Sequence, residues 1–367
     1  MSLDEKLAKL VVQYSVNVQP KETVFIWGNE KVPELIHAIY IEVLKQQAFP
    51  IALAGITGID ELLFKFGSDE QLKYFSPIDQ LIAEKIDKFI LIQSPQNTLG
   101  LNHVDPERMR IKNSTPENLE FYRIINKRER EGRFSACAFP YPSIGLARDA
   151  RMGLFAYRDF YKKAMYLDED DPVKHWKTVE KEQQRIVEYL NTTEKFHVLG
   201  EDTDLTFTTK GRTWVLDSGR KNLPGSEIYT SPEEDSINGF IRFTYPGIRM
   251  GHEIENIYLE FTDGKVIKAT ATKGQDLLDT VLKIEGADGI GEFAVGTNYN
   301  IKKFTRCMGF DEKMGGTIHM ALGNGFPETG SKAISTIHLD ILKDMTSSQS
   351  KMFANDKLIY EAGKWKI

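Results

Sequence analysis

Up to about residue 150, short apolar runs alternate with stretches whose apolar positions recur every three or four residues. TVFIWG (23–28), FPIALAG (49–55), KFILIQS (88–94) and FSACAFP (134–140) read as strands. Between them, EKVPELIHAIYIEVLKQQ (30–47), DEQLKYF (69–75), IDQLIAEKI (78–86) and TPENLEFYRIINKRERE (115–131) read as amphipathic helices. Strands without a clear polar face, joined by helices, predict an α/β layer: an open, mostly parallel sheet with helices on both faces. Residues 171–194 predict one long amphipathic helix, with Asp170 to Pro172 as its start signal and Asn-Thr-Thr as its stop.

After residue 194 the period changes to two. KFHVLGEDTDLTFTTKG, RTWVLDSG, EIYTSP, GFIRFTY, NIYLEFTDGKVIKATA and KLIYEAGKWKI read as short strands and hairpins, with Asp-Gly (263–264) and Ala-Gly (362–363) at the turns. A few helices, TVLKIE (280–285) among them, interrupt this region. The division predicted is an N-terminal α/β domain at 1–170, a linking helix at 171–194, and a β-rich α+β domain at 195–367. A length of 367 residues agrees with two cores rather than one.

Composition narrows the class without naming a chemistry. Apolar residues make up 41% and charged residues 27%, as in ordinary globular proteins. No run approaches the ~20 apolar residues of a spanning helix, and the N-terminus lacks a signal peptide's apolar core, so a cytoplasmic protein is expected. A net charge of −6 argues against nucleic acid or anionic membrane as partner. The basic run KRERE (127–131) is broken by acids and reads as a solvated helix face. The first strand is followed by WGNEKVPE, with one glycine, so neither a dinucleotide fingerprint nor a phosphate-binding loop is present to support a nucleotide cofactor. The two cysteines, 170 positions apart (137 and 307), form no thiolate cluster, so any metal must use imidazole and carboxylate.

Most histidines have bland settings: His37 and His175 lie in helix patterns and His197 lies beside a strand's apolar residues. STIHLD (335–340) differs, because residues two apart on a strand leave the same face, so His338 and Asp340 project together. His319 lies on another apolar run, GGTIHMALGNG. Glu292 in GIGEFAVGTN sits among small apolar residues, and Glu227 follows a Pro-Gly-Ser turn. Imidazole with carboxylate suits zinc, manganese, cobalt or non-haem iron. Three carboxylates and two imidazoles exceed one four-coordinate ion but suit two ions sharing a bridging carboxylate, an arrangement that generates hydroxide and polarises a carbonyl for amide hydrolysis.

GSDEQLKYFSP, DPER, NLPGSEIYTSPEEDSINGFIRFTYPG, IYLEFTDGKV, GEFAVG, FDEKMGGTIHMALG and IHLD, in that order, resemble the thermophilic aminopeptidase T family of dinuclear metallopeptidases, also known as the aminopeptidase S or PepS types. The resemblance implies metal ligands at Glu227, Glu292, His319, His338 and Asp340, with Glu292 bridging. It implies a metal-dependent aminopeptidase acting on short peptides through a metal-bridging hydroxide, and a homodimer joined through its C-terminal domains. The family usually carries a tyrosine after the HxALG element whose hydroxyl lies near the metals, and Phe326 stands there in this chain. No residue is assigned as catalytic base; Glu253 and Glu255 lie nearby but read equally as strand-end acids. Two other readings use the same residues: a mononuclear non-haem iron ring-cleaving dioxygenase, and a catalytically degenerate binding protein.

Overall fold

The computed structural model describes residues 1–113, 115–249 and 251–367, and its contacts separate two compact units. The first comprises Met1–Lys177 with Gly219–Leu223, and the second Thr178–Ser218 with Pro224–Ile367.

In the first unit, β1 (Thr23–Asn29), β2 (Phe49–Gly55), β3 (Lys88–Gln93) and β4 (Ser135–Pro140) form one sheet in the order β2-β1-β3-β4, every pair parallel. Helix Pro33–Lys45 connects β1 to β2, with proline in its first turn where an absent N–H costs nothing. The central strand β1 buries Val24, Phe25 and Ile26. The edge strand β2 departs from the expected cover on both faces, since Phe49, Ile51 and Leu53 remain exposed. The KRERE face also differs from expectation at one position. Arg128 is buried, and its guanidinium donates to the Ala83 carbonyl at 2.7 Å and packs 5.6 Å from the Phe134 ring centre. Only its neighbours Lys127, Arg130 and Glu131 are exposed.

The second unit is built of strands β5 (Lys195–Gly200), β6 (Thr203–Thr208), β7 (Val215–Asp217), β8 (Glu227–Thr230), β9 (Asn238–Arg242), β10 (Gly247–Arg249), β11 (His252–Ile254), β12 (Tyr258–Thr262), β13 (Lys265–Thr270), β14 (Ile290–Gly296), β15 (Thr317–Gly323), β16 (His338–Asp344), β17 (Lys351–Ala354), β18 (Lys357–Glu361) and β19 (Lys364–Trp365). An eight-stranded sheet runs β13-β12-β9-β6-β5-β17-β18-β19, and a five-stranded sheet runs β16-β15-β14-β8-β7. Both are antiparallel throughout. Asp263 and Gly264 both have positive φ, as the tight turn between β12 and β13 requires.

A single aromatic and aliphatic core joins these two sheets. Phe207 on β6 lies 4.7 Å, centre to centre, from Phe293 on β14, and Trp214 meets Phe293 edge-on. Burying aromatics of this size supplies much of the stabilisation of a sheet pair. One face of the five-stranded sheet is thereby committed to packing. Glu292 on β14, His319 on β15 and His338 and Asp340 on β16 belong to the other face, whereas Lys343 on β16 reaches the main-chain carbonyls of Glu201 and Arg242 from the packed face.

Candidate metal centre

Strand alternation and register assemble the site. On β16, Leu339 and Ile341 are buried in the core, so His338 and Asp340 leave the opposite face. Asp340 pairs with Ala321 of β15, which pairs in turn with Glu292 of β14, so one row across three strands reads acid, methyl, acid. The adjacent row carries His319, paired with Ala294. Glu227 opens β8 opposite Gly296 and beside Asp217 of β7. The two alanines between the polar positions leave room above the sheet for the long side chains around them.

A bulge between Ile290 and Glu292 re-aims β14 at this point. Gly291 occupies it, and a Cβ there would lie 2.1 Å from the Asn324 carbonyl oxygen, so only glycine fits. The same Asn324 carbonyl accepts the Nδ1–H of His338 at 2.8 Å. That bond fixes the tautomer in which Nε2 carries the lone pair, the arrangement by which an outer hydrogen bond orients an imidazole ligand.

The five side chains singled out in the sequence converge. His338 Nε2 lies 3.1 Å from Glu292 Oε2 and 3.2 Å from Asp340 Oδ1. His319 Nε2 lies 3.5 Å from Glu227 Oε2 and 3.8 Å from Glu292 Oε1. Glu292 thus faces both imidazoles, one oxygen to each. Two groups of ligand atoms are close enough to share an ion: Glu292, His319 and Asp340, and Glu227, Glu312 and His319.

Glu312 is the residue that sequence reading missed. It follows the short helix Met308–Asp311 in a charge-rich stretch, FDEKM, which looks like a solvated turn. Its neighbour Lys313 is almost fully buried and contacts three carboxylates: Glu227 Oε1, Asp217 Oδ2 at 3.0 Å and Glu312 Oε1 at 3.0 Å. Gln183 on helix Pro172–Leu190 completes the support, its amide donating to the main-chain carbonyls of Asp217 (3.3 Å) and Glu227 (3.1 Å).

Electrostatics tests whether these residues fit a metal. Burial alone would lower both histidines, yet Glu292, Glu227 and Asp340 raise His319 to about 9, and Asp340 and Glu292 raise His338 to about 11. Burial pushes Glu292 up, but the two imidazoles outweigh it and hold the carboxyl near 2. Burial raises Glu227 against the pull of Lys313. The carboxylates hold protons on the imidazoles with the same attraction that a divalent cation would satisfy in their place. Glu227 Oε2, both ring nitrogens of His319 and Asp340 Oδ1 are buried without hydrogen-bond partners. Leaving such atoms unsatisfied is costly, and coordination would remove that cost at Glu227 Oε2, His319 Nε2 and Asp340 Oδ1. Two imidazoles, four carboxylates and no thiolate therefore fit hard or borderline divalent ions.

Glu253 and Glu255 lie elsewhere. Glu253 Oε2 takes Lys273 Nζ at 3.1 Å and its Oε1 takes Arg306 Nε, and Glu255 shares Lys273 at 2.7 Å, so both belong to a surface ion network.

Residues 3–365 match the family described as thermophilic metalloprotease (M29). The chain is 27% identical over 362 residues to Aminopeptidase 2 of Geobacillus stearothermophilus, covering 88% of this chain and 84% of that one. It is 29% identical over 181 residues to Aminopeptidase T of Thermus aquaticus, 45% of this chain and 44% of that one. Wild-type AmpT from Thermus thermophilus superposes with a TM-score of 0.82 at 19% identity, over 100% of this chain and 99% of that one, so the fold is shared. With a site chemically suited to divalent ions and a match along nearly its whole length, the chain belongs to the M29 family of metallopeptidases.

Proposed function

We propose that this protein is a metal-dependent aminopeptidase that removes N-terminal residues from short peptides, with two divalent ions held by Glu227, Glu292, His319, His338 and Asp340 and by Glu312 beside them. The observation that carries the reading is Glu292, whose two oxygens face two different imidazoles, the disposition of a carboxylate shared between two ions. The names of the matched relatives support peptides as substrate. Zinc, cobalt or manganese suits the donor set.

When bound, such ions polarise a carbonyl and lower the pKa of water. The protein's own residues do the rest. Glu227, Glu292 and Asp340 supply negative charge that two divalent cations would offset. Asn324 holds His338 in the ligating tautomer. The buried sheet floor beneath, with Leu339, Ile341 and Phe293, gives the ligand-bearing strands a rigid base.

The single-iron reading finds no support here, because four carboxylates surround the imidazoles where a facial triad has one. A homodimer in the cytoplasm completes the proposal by resemblance to the family, and sedimentation in solution tests the dimer.

The decisive measurement is metal content of protein purified without added metal, paired with hydrolysis of aminoacyl-anilides and dipeptides. About two divalent ions per chain and release of the N-terminal residue are expected. No metal and no hydrolysis after reconstitution with zinc, cobalt or manganese would overturn the reading.

A further inference from the structure

Lys313 is not needed as a ligand, since an ammonium has three donors and no acceptor. Yet its side chain is 1% exposed and sits among carboxylates of the centre. A buried ammonium costs several kcal/mol unless it is well paired, so its placement needs a reason.

The main chain shows how firmly it is held. The Asn298 N–H donates to the Lys313 carbonyl at 2.9 Å, and the Gly315 N–H donates back to the Asn298 carbonyl at 2.9 Å. Close approach of the two segments depends on Gly296 at the end of β14, where a Cβ would lie 2.2 Å from the Met314 carbonyl oxygen. The loop before β15 is thereby pinned to the strand that carries Glu292. The main chain of Lys313 cannot shift relative to β14 without breaking these bonds.

The two oxygens of Glu227 are treated differently. Oε1 is taken by the Lys313 ammonium. Oε2 is buried without a hydrogen-bond partner, 3.5 Å from His319 Nε2. With Oε1 engaged by the ammonium, Oε2 is the oxygen left facing the imidazole and the better placed of the two for an ion. Glu312 is drawn to the same ammonium at 3.0 Å, and Asp217 at 3.0 Å supplies a further negative charge that the ammonium offsets.

Resting on the metal-centre reading above, we propose that Lys313 is a positioning residue for the half of the centre formed by Glu227, Glu312 and His319. It makes Glu227 a one-oxygen ligand, turns Oε2 toward His319, and keeps Asp217 as a counter-charge outside the ligand set. This assigns a cation the task of building a cation site. A purely electrostatic account predicts the opposite effect on removal, because deleting a positive charge beside a metal strengthens attraction for the metal. The two accounts differ in sign.

The test is calorimetric titration of the chelator-treated protein with Zn²⁺, with thermal melting of the metal-free form as the check on folding. Lys313→Met is the direct variant. Because it strands a buried charge, Asp217→Asn combined with Lys313→Met restores the charge balance, and Lys313→Gln keeps a neutral donor near Glu227. Wild type is expected to show two binding events. In Lys313→Met and in the double variant one event weakens by about 10- to 100-fold, the range seen when an outer partner of a metal ligand is lost, while the other is unchanged. Lys313→Gln falls between them and wild type. Unchanged or tighter binding in the double variant, or equal weakening of both events, overturns the positioning role. Absence of any binding in wild type is a different failure: it removes the metal centre itself.

Discussion

Glu292 and His338 meet at 3.1 Å although their strands, β14 and β16, do not pair with each other but flank β15. The contact spans two strand spacings: His338 pairs with Gly323 of β15, two residues beyond the Ala321 that separates Glu292 from Asp340, so only a methyl group and a glycine stand on β15 between the two strands. With its other oxygen toward His319, Glu292 is common to both halves of the site. Glu292→Gln keeps the shape and removes the charge. Metal content of this variant, measured by atomic emission after dialysis, is expected to fall below one ion per chain, because in the proposed two-ion centre both ions would lose a ligand. Loss of one ion with retention of the other would show that Glu292 serves one ion and does not bridge.

Leu339 lies between His338 and Asp340 in sequence yet points the other way, 3% exposed in the core. Leu339→Ala removes buried methyl groups and is expected to cost about 2–5 kcal/mol in urea unfolding. Metal content at a temperature where the variant is folded stays at the wild-type level. A variant that kept its stability but lost metal would mean that the face assignment of β16 is inverted.

These two residues show what local sequence reveals. Period-two alternation on β16 put His338 and Asp340 on one face and Leu339 on the other, and the apolar setting of Glu292 marked it as a buried acid. The parallel pairing of β1 to β4, though not their order in the sheet, followed likewise from strands alternating with helices. Glu312 and Lys313 escaped because their burial is made by distant chain: β8, β7 and the loop pinned at Asn298 close over a stretch that is locally as polar as any surface turn. Arg128 escaped for the same reason, since nothing within KRERE announces the Ala83 carbonyl that receives it. Charge buried by tertiary pairing leaves no periodic signature.

Phe326 stands on the His338 side of the centre, its ring centre 5.1 Å from that of His338 and 5.5 Å from that of Tyr229. It offers an apolar ring where a phenol would add a donor and an acceptor. Phe326→Tyr is expected to raise kcat for aminoacyl-anilide hydrolysis while metal content and melting temperature stay unchanged. Steady-state kinetics on metal-saturated protein reads this directly. Equal kcat and KM in both proteins would show that the position takes no part in turnover.

Glu253 gives a pH dependence away from the candidate metal centre. Hydrogen bonds from Arg306 first, against the opposing effect of burial, and then from Lys273 hold its carboxyl down at about 2, below the ~4.3 of an unfolded glutamate. A carboxyl depressed in the folded state binds fewer protons there than in the unfolded state, so its contribution to stability is present above about pH 4.3 and is lost as pH falls toward 2. Glu253→Gln is therefore expected to lower stability at pH 7 by on the order of 1 kcal/mol, a figure that allows for partial solvent screening of the pair. Urea unfolding of the metal-free proteins between pH 7 and pH 3 shows the two stabilities converging as acid is added. A gap of constant size down to pH 3 would place the stabilisation in packing of the side chain and not in its charge.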